Sequence, residues 1–302
     1  MNILITGGSG FVGSHMVRFF LERGDRVVAM GRRAHDGRFT HDRYRYVQAD
    51  TTAPGHWQAE VADADAVVNL AGQTIFNRWS KQYKQQIYDS RILTTRHLAE
   101  AVTGDREMVF CSASAVGVYG DRGDDLLTEN EPTGTDFLSR VARDWEDAAL
   151  KAQNRGARVI LARFGLVLGA DGGALAKMVP AFRALAGGPM GSGGQWVPWI
   201  HIGDLVAAVA HMIGRGDLAG PVNVCAPNPV RNRDMARSLG RLLNRPSIMP
   251  APAFALRLAM GELASVLLVS QRAVPERLTT SGFVFRFTGL DAALADLLRP
   301  EP

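Results

Sequence analysis

The chain opens with Met1-Asn-Ile-Leu-Ile-Thr-Gly-Gly-Ser-Gly-Phe-Val-Gly13, and this stretch decides the fold. Residues 3–5 form a short apolar run that predicts a buried parallel strand. Residues 11–20 carry apolar side chains at helical spacing, Gly24 predicts the end of that helix, and residues 26–30 form a second apolar run. The order of strand, glycine-rich turn, helix and strand predicts the first β-α-β unit of a dinucleotide-binding sheet.

The glycines of the turn have distinct expected roles. Gly7 permits the tight turn, Gly10 lets the backbone approach a pyrophosphate, and Gly13 lets the helix lie close to the strand. The first helical turn then directs free N–H groups at the phosphates. The alternative is a tight strand–helix turn that binds nothing. The cofactor-binding residues predicted from this turn are Gly7, Gly8, Ser9, Gly10, Phe11, Val12 and Gly13.

Composition sets limits on the class of protein. The chain has 302 residues, of which 46% are hydrophobic and 21% charged, as in ordinary globular proteins. Cys111 and Cys225 lie in predicted strands, so we expect buried free thiols and no metal site. The pattern of a leader peptide and an apolar segment of spanning length are both missing, so we expect a cytoplasmic protein without a membrane partner. The net charge is +4, but the arginines are scattered, so we expect no nucleic-acid partner.

The second predicted strand ends in Met30-Gly-Arg-Arg33. An NAD-preferring enzyme usually places an acidic residue here to hold the ribose 2′-hydroxyl. Two guanidinium groups suit a 2′-phosphate instead, so the sequence favours NADP(H). Gly31, Arg32 and Arg33 are therefore predicted cofactor-binding residues. The alternative for the arginines is a solvated surface pair.

Strands and helices continue to alternate along the chain. The further strands are predicted at 44–49, 65–72, 108–113, 158–163 and 222–225, and the further helices at 79–102, 136–155 and 203–213. This alternation predicts an α/β fold: a Rossmann-type, doubly wound parallel sheet with right-handed crossovers. Asp50 follows the third strand and either accepts from an adenine amino group or caps a turn. Leu70, Ala71 and Gly72 would let the cofactor lie against backbone.

We predict two domains of unequal size. Residues 1–226 form the nucleotide-binding domain, with the glycine- and proline-rich segment 169–199 contributing to the substrate side. Residues 227–302 form a small, mainly helical C-terminal domain, with helices at 232–243 and 253–269 followed by a short tail.

Several runs of residues resemble a known group of enzymes. Thr6-Gly-Gly-Ser-Gly-Phe-Val-Gly13, Asn69-Leu-Ala-Gly72 and Trp199-Ile-His-Ile-Gly-Asp204 resemble the extended short-chain dehydrogenase/reductases of the nucleotide-sugar epimerase branch. Asp144-Trp-Glu146 and Gln271-Arg-Ala-Val-Pro275 are similar to the atypical "epimerase family" oxidoreductases. The resemblance covers nearly the whole chain. It implies an NADP-binding Rossmann domain with a small C-terminal domain, and a homodimer formed through the helices at 79–102 and 136–155.

The chain departs from the wider group at the catalytic pair. Those enzymes use Tyr-x-x-x-Lys, in which the lysine lowers the tyrosine pKa and the tyrosine exchanges a proton with substrate. This chain contains no such pair. Aligned on Asp144-Trp-Glu146, its places are taken by Leu138 and Ala142, neither of which can transfer a proton.

Other residues are candidates for the site. Ser114 matches the serine that polarises a substrate carbonyl, but Ser112 and Ser114 equally suit a strand-end cap. Arg91, with Gln86, is expected to reach the cofactor, and the alternative is an exposed helix arginine. Arg163 is expected near the nicotinamide. The residues predicted to bind the cofactor in this part of the chain are Gln86, Arg91, Ser112 and Arg163, and Ser114 is the one catalytic candidate.

The substrate side is expected to be aromatic. Tyr119, Gln195, Trp196 and Trp199 are predicted to line a cleft, and the alternative for the aromatic residues is the core. His201 and Asp204 lie three residues apart at the start of a helix, so they favour a capping network over an acid–base pair.

Two functions remain open from the sequence. The first is an NADP(H)-dependent oxidoreductase or epimerase-like protein acting on an unknown small molecule. The second is a non-catalytic NADP(H)-binding sensor or regulatory protein, which the missing Tyr-x-x-x-Lys pair favours.

Overall fold

The computed structural model describes residues 1–34 and 37–299. The opening unit forms as predicted, with β1 (Asn2–Thr6), α1 (Phe11–Glu22) and β2 (Arg26–Gly31). The elements up to residue 169 are β3 (Tyr44–Gln48), α2 (Ala59–Ala62), β4 (Ala66–Asn69), α3 (Lys81–Glu100), β5 (Met108–Ala115), β6 (Leu126–Leu127), α4 (Phe137–Leu150), β7 (Ala157–Phe164) and β8 (Leu166–Gly169). Those that follow are β9 (Gly172–Gly173), α5 (Leu175–Arg183), β10 (Trp196–Val197), β11 (Trp199–His201), α6 (Ile202–Gly214), β12 (Gly220–Val224), β13 (Val230–Arg231), α7 (Asn232–Leu242), α8 (Ala253–Met260), α9 (Ala264–Leu268), β14 (Arg272–Ala273), α10 (Glu276–Thr280) and α11 (Leu290–Leu297).

Seven parallel strands form the main sheet, in the order β12-β7-β5-β4-β1-β2-β3. The chain runs outward from β1 in one direction and then returns to β4 to run outward in the other. This confirms the predicted doubly wound fold. Ligands of such sheets bind beyond the carboxyl ends of the strands where the order reverses, here between β1 and β4.

Each face of the sheet is covered by helices, because alternate side chains of the buried strands point to opposite faces. Ile3 and Ile5 pack in a core that includes Met16 of α1 and Leu205 of α6. Leu4, between them, packs in the core on the other face, with Val61 of α2, Leu98 of α3 and Ala149 of α4. The helices thus hold the ends of β1 and β4 in register.

A second core lies beside the sheet. The chain between β7 and β12 leaves the main sheet and forms a small sheet in the order β11-β8-β9. Buried residues from 168–199 and from 226–294 pack together there: Leu168, Leu175, Val179, Phe182, Trp199, Ala226, Met235, Ala236, Leu239, Phe287, Leu290, Ala293 and Leu294. Segments from both sides of residue 226 therefore build one core.

The C-terminal region differs from the sequence-based prediction. The helix predicted at 253–269 is divided into α8 and α9 by a 3-10 turn, because Gly261 has a φ of 62°. The expected short tail contains α10, α11 and β14, and β14 pairs in parallel with β6. That pairing joins residues far apart in the chain, which local patterns do not reveal.

Two classes of feature are missing from the described part of the chain. None of its helices combines the length and the apolar character needed to cross a membrane. In the same residues, no three His, Cys, Asp or Glu side chains lie where they could hold a metal ion.

Candidate functional site

The glycine-rich turn lies between the ends of β1 and β4. Gly7 has a φ of 68°, and the Gly10 amide donates to its carbonyl at 2.9 Å. A Cβ on Gly13 would lie 2.2 Å from the Gly7 oxygen, so a larger residue would push α1 away from the turn. A Cβ on Gly8 would lie 2.6 Å from the Ala29 Cβ. The turn therefore requires glycine where the fingerprint has it.

The start of α1 fits a diphosphate. Gly10 is its N-cap residue, and no side chain caps this end of the helix. A Cβ at Gly10 would find only the Gly7 oxygen within 4 Å, at 3.1 Å, so the turn is open on this side. The first-turn amides, including those of Phe11 and Val12, need an acceptor, and a helix N-terminus favours a negatively charged one.

The predicted arginine pair lies at the end of β2. Both arginines are exposed, and their backbone carbonyls accept from β3: that of Arg32 from Gln48 Nε2 at 3.1 Å, and that of Arg33 from the Tyr46 hydroxyl at 2.8 Å. The Ser9 hydroxyl lies 3.0 Å from the Cβ position of Gly31. The Arg32 guanidinium reaches Gln73, donating from Nη2 to Oε1 at 3.2 Å. A hydroxyl and two exposed arginines thus lie at one strand end.

Asp50 caps a turn. Its Oδ1 accepts from the Thr52 amide at 3.1 Å and the Thr52 hydroxyl at 2.6 Å. The hydrogen bond from that hydroxyl holds the pKa of Asp50 below its usual value. This geometry agrees with the turn-capping alternative that the sequence left open.

The turn after β4 packs against the turn after β1. Leu70 and Ala71 donate their amides to the Thr6 hydroxyl at 3.2 and 3.3 Å. Gly72 faces Arg91, whose Cζ lies 3.0 Å from the Gly72 Cβ position. The residues predicted to lie under the cofactor therefore share one surface with the fingerprint.

Arg91 lies inside this surface. Its Nη1 donates to the carbonyls of Gln73 and Ile87, both at 3.0 Å, and its guanidinium lies 5.2 Å from the Trp145 ring centroid. Burial lowers the pKa of Arg91 to about 10. Gln86, five residues earlier on α3, is exposed, and its side chain makes no hydrogen bond with another described residue.

A buried hydrogen-bond network joins the strand ends behind this surface. Asn69 accepts from the Thr6 hydroxyl at 2.7 Å and donates to the hydroxyls of Thr95 and Ser112 at 2.7 and 3.2 Å. Trp145 Nε1 donates to the same Thr95 hydroxyl at 2.8 Å. Ser112 therefore fixes strand ends from inside, which agrees with its alternative role as a strand-end cap.

Ser114 is hydrogen-bonded to a buried ion pair. Arg163 donates through Nε and Nη2 to the two oxygens of Glu146, both at 2.8 Å, and the Ser114 hydroxyl donates to Glu146 Oε1 at 2.6 Å. Ser114 is 3% exposed and Arg163 is 5% exposed. The structure thus places Arg163 in the interior and engages the proton of Ser114, where the sequence predicted contacts with nicotinamide and substrate.

The aromatic residues expected along a cleft are divided between core and surface. Tyr119 is fully buried, donates to Asn223 Oδ1 at 2.8 Å and accepts from Arg163 Nη1 at 2.9 Å. Burial raises the pKa of Tyr119 to about 12. Trp199 is also fully buried, with Nε1 donating to the Asn228 carbonyl at 3.0 Å. Tyr119 and Trp199 therefore lie in the core, which is the alternative that the sequence left open for the aromatic residues.

Trp196 is partly exposed, whereas Gln195 is buried. The indole of Trp196 lies between the guanidinium groups of Arg231 and Arg272, at 4.1 and 4.8 Å, and its Nε1 donates to Asp124 at 2.9 Å. Gln195 donates to the carbonyls of Met190 and Leu267 at 3.1 and 2.9 Å.

The two positions of the missing catalytic pair lie on α4. Ala142 is buried in an apolar cluster that includes Val116, Tyr119 and Cys225, and Leu138 is partly buried. An apolar cluster thus surrounds the place where the resemblance would put a lysine.

His201 and Asp204 act in capping. His201 is the N-cap of α6 and accepts from the Gly203 amide at 3.0 Å through Nδ1. Asp204 accepts from the amides of Arg286 and Phe287, both at 2.9 Å. The pair joins α6 to the C-terminal region, in agreement with the predicted capping network.

One contact of the site was missed by the sequence analysis. Phe11 lies against the β8–β9 hairpin, where Cβ atoms on Gly169, Gly172 and Gly173 would come within 2.5, 2.3 and 2.8 Å of its ring. His15 bonds to Asp171 at the tip of the same hairpin, at 3.0 Å. The glycines at these three positions were the available signal, but only the folded chain shows that Phe11 fills their space.

Comparison with known proteins agrees with this geometry. A model of the "NAD dependent epimerase/dehydratase family" matches residues 3–225, and "Domain of unknown function (DUF1731)" matches residues 251–297. The chain is 36% identical to the "Epimerase family protein YfhF" of Bacillus subtilis, over 99% of this chain and 98% of that one. It is 38% identical to the "Epimerase family protein SDR39U1 homolog, chloroplastic" of Arabidopsis thaliana, over 99% and 87%.

A solved structure is also similar over the full length. The crystal structure of the human epimerase family protein SDR39U1 (isoform 2) with NADPH superposes with a TM-score of 0.86 at 30% identity, covering 98% of this chain and 99% of that one. Together with the fingerprint turn and the order of the seven strands, these matches show that the chain belongs to the NAD dependent epimerase/dehydratase family and carries the DUF1731 domain at its C-terminal end.

Proposed function

We propose that this chain is an NADP(H)-dependent oxidoreductase of the epimerase family. One observation carries the choice of NADP(H) over NAD(H): Arg32 and Arg33 directly follow β2, close to the Ser9 hydroxyl, and positions 30–34 hold no acidic residue. Planar, permanently charged guanidinium groups suit the adenosine 2′-phosphate. NADPH in the human relative supports the same choice.

The nicotinamide would supply a hydride to a small-molecule substrate or accept one from it. The polar side chains described at the site are better suited to positioning the substrate than to transferring a proton. Glu146 holds the Ser114 proton, and the Tyr119 hydroxyl is buried with a pKa of about 12. We infer that water supplies the proton that a substrate carbonyl oxygen needs on reduction, and accepts it in the reverse direction.

The cofactor choice is tested by replacing both arginines at the end of β2. Arg32→Ala with Arg33→Ala should weaken NADPH binding by about tenfold to a hundredfold, because each removes a hydrogen bond between charged groups. NADH binding should change by less than about threefold, since NADH lacks the 2′-phosphate. Isothermal titration calorimetry with both nucleotides measures this. Arg26→Ala, at the opposite end of β2, is the matched control, and an equal loss for NADPH and NADH would contradict the proposal.

A second candidate function is an NADP(H)-binding sensor without catalysis. The observation that favours it is the apolar cluster at Ala142, together with the engagement of Ser114 by Glu146. Incubation of the purified protein and NADPH with a panel of carbonyl compounds and nucleotide sugars distinguishes the two candidates. Oxidation of NADPH by any of them supports the enzyme. Tight NADPH binding without turnover, combined with a nucleotide-dependent change in a protein interaction, supports the sensor.

A further inference from the structure

The region around α8 exposes large apolar side chains. Helix α8 contains no buried residue, and its Phe254 and Leu258, four residues apart, lie on one side with exposures of 74% and 83%. The preceding loop exposes Ile248 by 85% and Met249 by 59%, and the turn after α5 exposes Leu185 by 55%. We name these five side chains the apolar patch.

The patch is continuous because its segments pack directly against each other. A Cβ on Gly188, three residues after Leu185, would lie 2.0 Å from the Met249 carbonyl oxygen. The Ala251 amide donates to the Pro189 carbonyl and the Gly191 amide to the Ala251 carbonyl, both at 2.9 Å. Ala251 leads directly into α8. The five side chains therefore belong to neighbouring segments of one surface.

Unpaired positive charges accompany the patch. Arg183, Arg245 and Arg257 are exposed, and none of them forms an ion pair with another described residue. Residues 172–203 and 235–261, which supply the whole patch, contain no Asp or Glu. The next acid along the chain, Glu262, is paired with Lys84. The surface is thus apolar and cationic together.

We propose that the apolar patch docks this protein on the surface of an anionic lipid bilayer. Aromatic and aliphatic side chains insert at the boundary between headgroups and acyl chains, and arginines bind the lipid phosphates around them. A dimer through the patch would bury arginines of both copies, and residues 172–203 and 235–261 supply no acid to pair with them. This docking is peripheral, and it departs from our expectation that the chain has no membrane partner, which rested on the lack of a spanning segment.

Vesicle sedimentation tests the proposal with the full chain. Protein is mixed with vesicles of phosphatidylcholine alone, or of phosphatidylcholine with phosphatidylglycerol. We expect binding to the anionic vesicles, and a loss of about tenfold or more in Phe254→Gln with Leu258→Gln and in Arg183→Gln with Arg245→Gln and Arg257→Gln. High salt should weaken binding of the unaltered protein.

Matched variants separate the patch from general charge and hydrophobicity. Arg18→Gln with Arg26→Gln and Arg96→Gln removes the same charge from exposed arginines elsewhere, and Val284→Gln removes an apolar side chain that is 85% exposed outside the patch. Both should bind vesicles as the unaltered protein does, and all variants should keep its thermal midpoint. Equal losses in the patch and control variants would overturn the proposal. So would an unaltered protein that ignores anionic vesicles, or one that forms dimers which Phe254→Gln with Leu258→Gln separates.

Discussion

Arg163 organises the side chains behind the ends of β5 and β7. It pairs with both oxygens of Glu146 and contacts the Tyr119 hydroxyl, and all three side chains are buried. Although burial disfavours its charge, the bonds to Glu146 raise the pKa of Arg163. The arginine therefore stays charged, and the stability of the protein depends on that pair remaining complete.

Removing one partner of this pair should be costly. Arg163→Leu should lower the free energy of unfolding by about 3–5 kcal/mol, because the Glu146 carboxylate would be left buried and uncompensated. Urea denaturation measures the loss. The variant with both Arg163→Leu and Glu146→Leu is the control and should recover a large part of it, since no charge then remains buried. A single-variant loss below about 1 kcal/mol would show that water compensates the carboxylate.

At the scale of single residues, the sequence identified the important polar side chains but did not identify the residues that they contact. Ser114 and Arg163 were both singled out, but their bonds to Glu146 span 32 and 17 positions in the chain. A sequence pattern shows that a polar residue lies at a strand end, but it does not show which distant side chain will hydrogen-bond to that residue. The roles of the glycines were predictable, because they follow from backbone geometry within a few residues.

Among the elements, the β8–β9 hairpin and the start of α1 are fitted to each other through Phe11. The three hairpin glycines leave space that the phenylalanine ring fills. The position of the ring, and with it the start of α1, depends on this hairpin.

A double-variant experiment tests this fit. Gly172→Ala places a methyl group against the Phe11 ring and should lower the free energy of unfolding by about 1–3 kcal/mol. Added to Phe11→Ala, the same change should cost much less, because the ring is gone. Chemical denaturation of the four proteins gives the coupling energy. Additive losses would mean that the hairpin moves away without strain. Gly214→Ala is the control, because a Cβ at Gly214 has open space around it. Gly37→Ala would not serve, because Gly37 has a positive φ.

Most elements of the nucleotide-binding half could be predicted from the sequence, and those of the C-terminal region only in part. The central strands β1, β4, β5 and β7 are buried on both faces, so apolar runs mark them. The segment at 253–269 is mostly apolar, so its pattern predicted one helix without the break at Gly261. Two-residue strands such as β14 depend on a distant partner and carry no periodicity of their own.

For the whole molecule, His201 makes the stability of the fold depend on pH. It caps α6, its ring lies 4.2 Å from that of Phe287, and its Nε2 lies 3.3 Å from Asp296 of α11. Burial lowers the pKa of His201 below its usual 6.5, although Asp296 opposes the shift. The unfolded chain thus binds a proton more readily than the folded one. Stability from this group is present above about pH 6.5 and is lost as the pH falls below it.

This effect can be measured by urea denaturation between about pH 7.5 and pH 5. The unaltered protein should lose stability across that range. His201→Asn should lose less, because asparagine keeps a capping oxygen and does not titrate. His56→Asn, at an exposed position, is the control and should follow the unaltered protein. Identical slopes for the protein with and without His201 would assign the pH dependence to other groups.

The shared core of residues 168–199 and 226–294 has a practical consequence for building hybrids of this family. A graft that exchanges only the chain after residue 226 would pair a foreign set of helices with the original Leu175, Phe182 and Trp199. A hybrid of two relatives should therefore fold only when the segment from β8 to β11 and the C-terminal part come from the same relative. This core is built from two segments that are separate in the sequence, so a single crossover point between two relatives divides it.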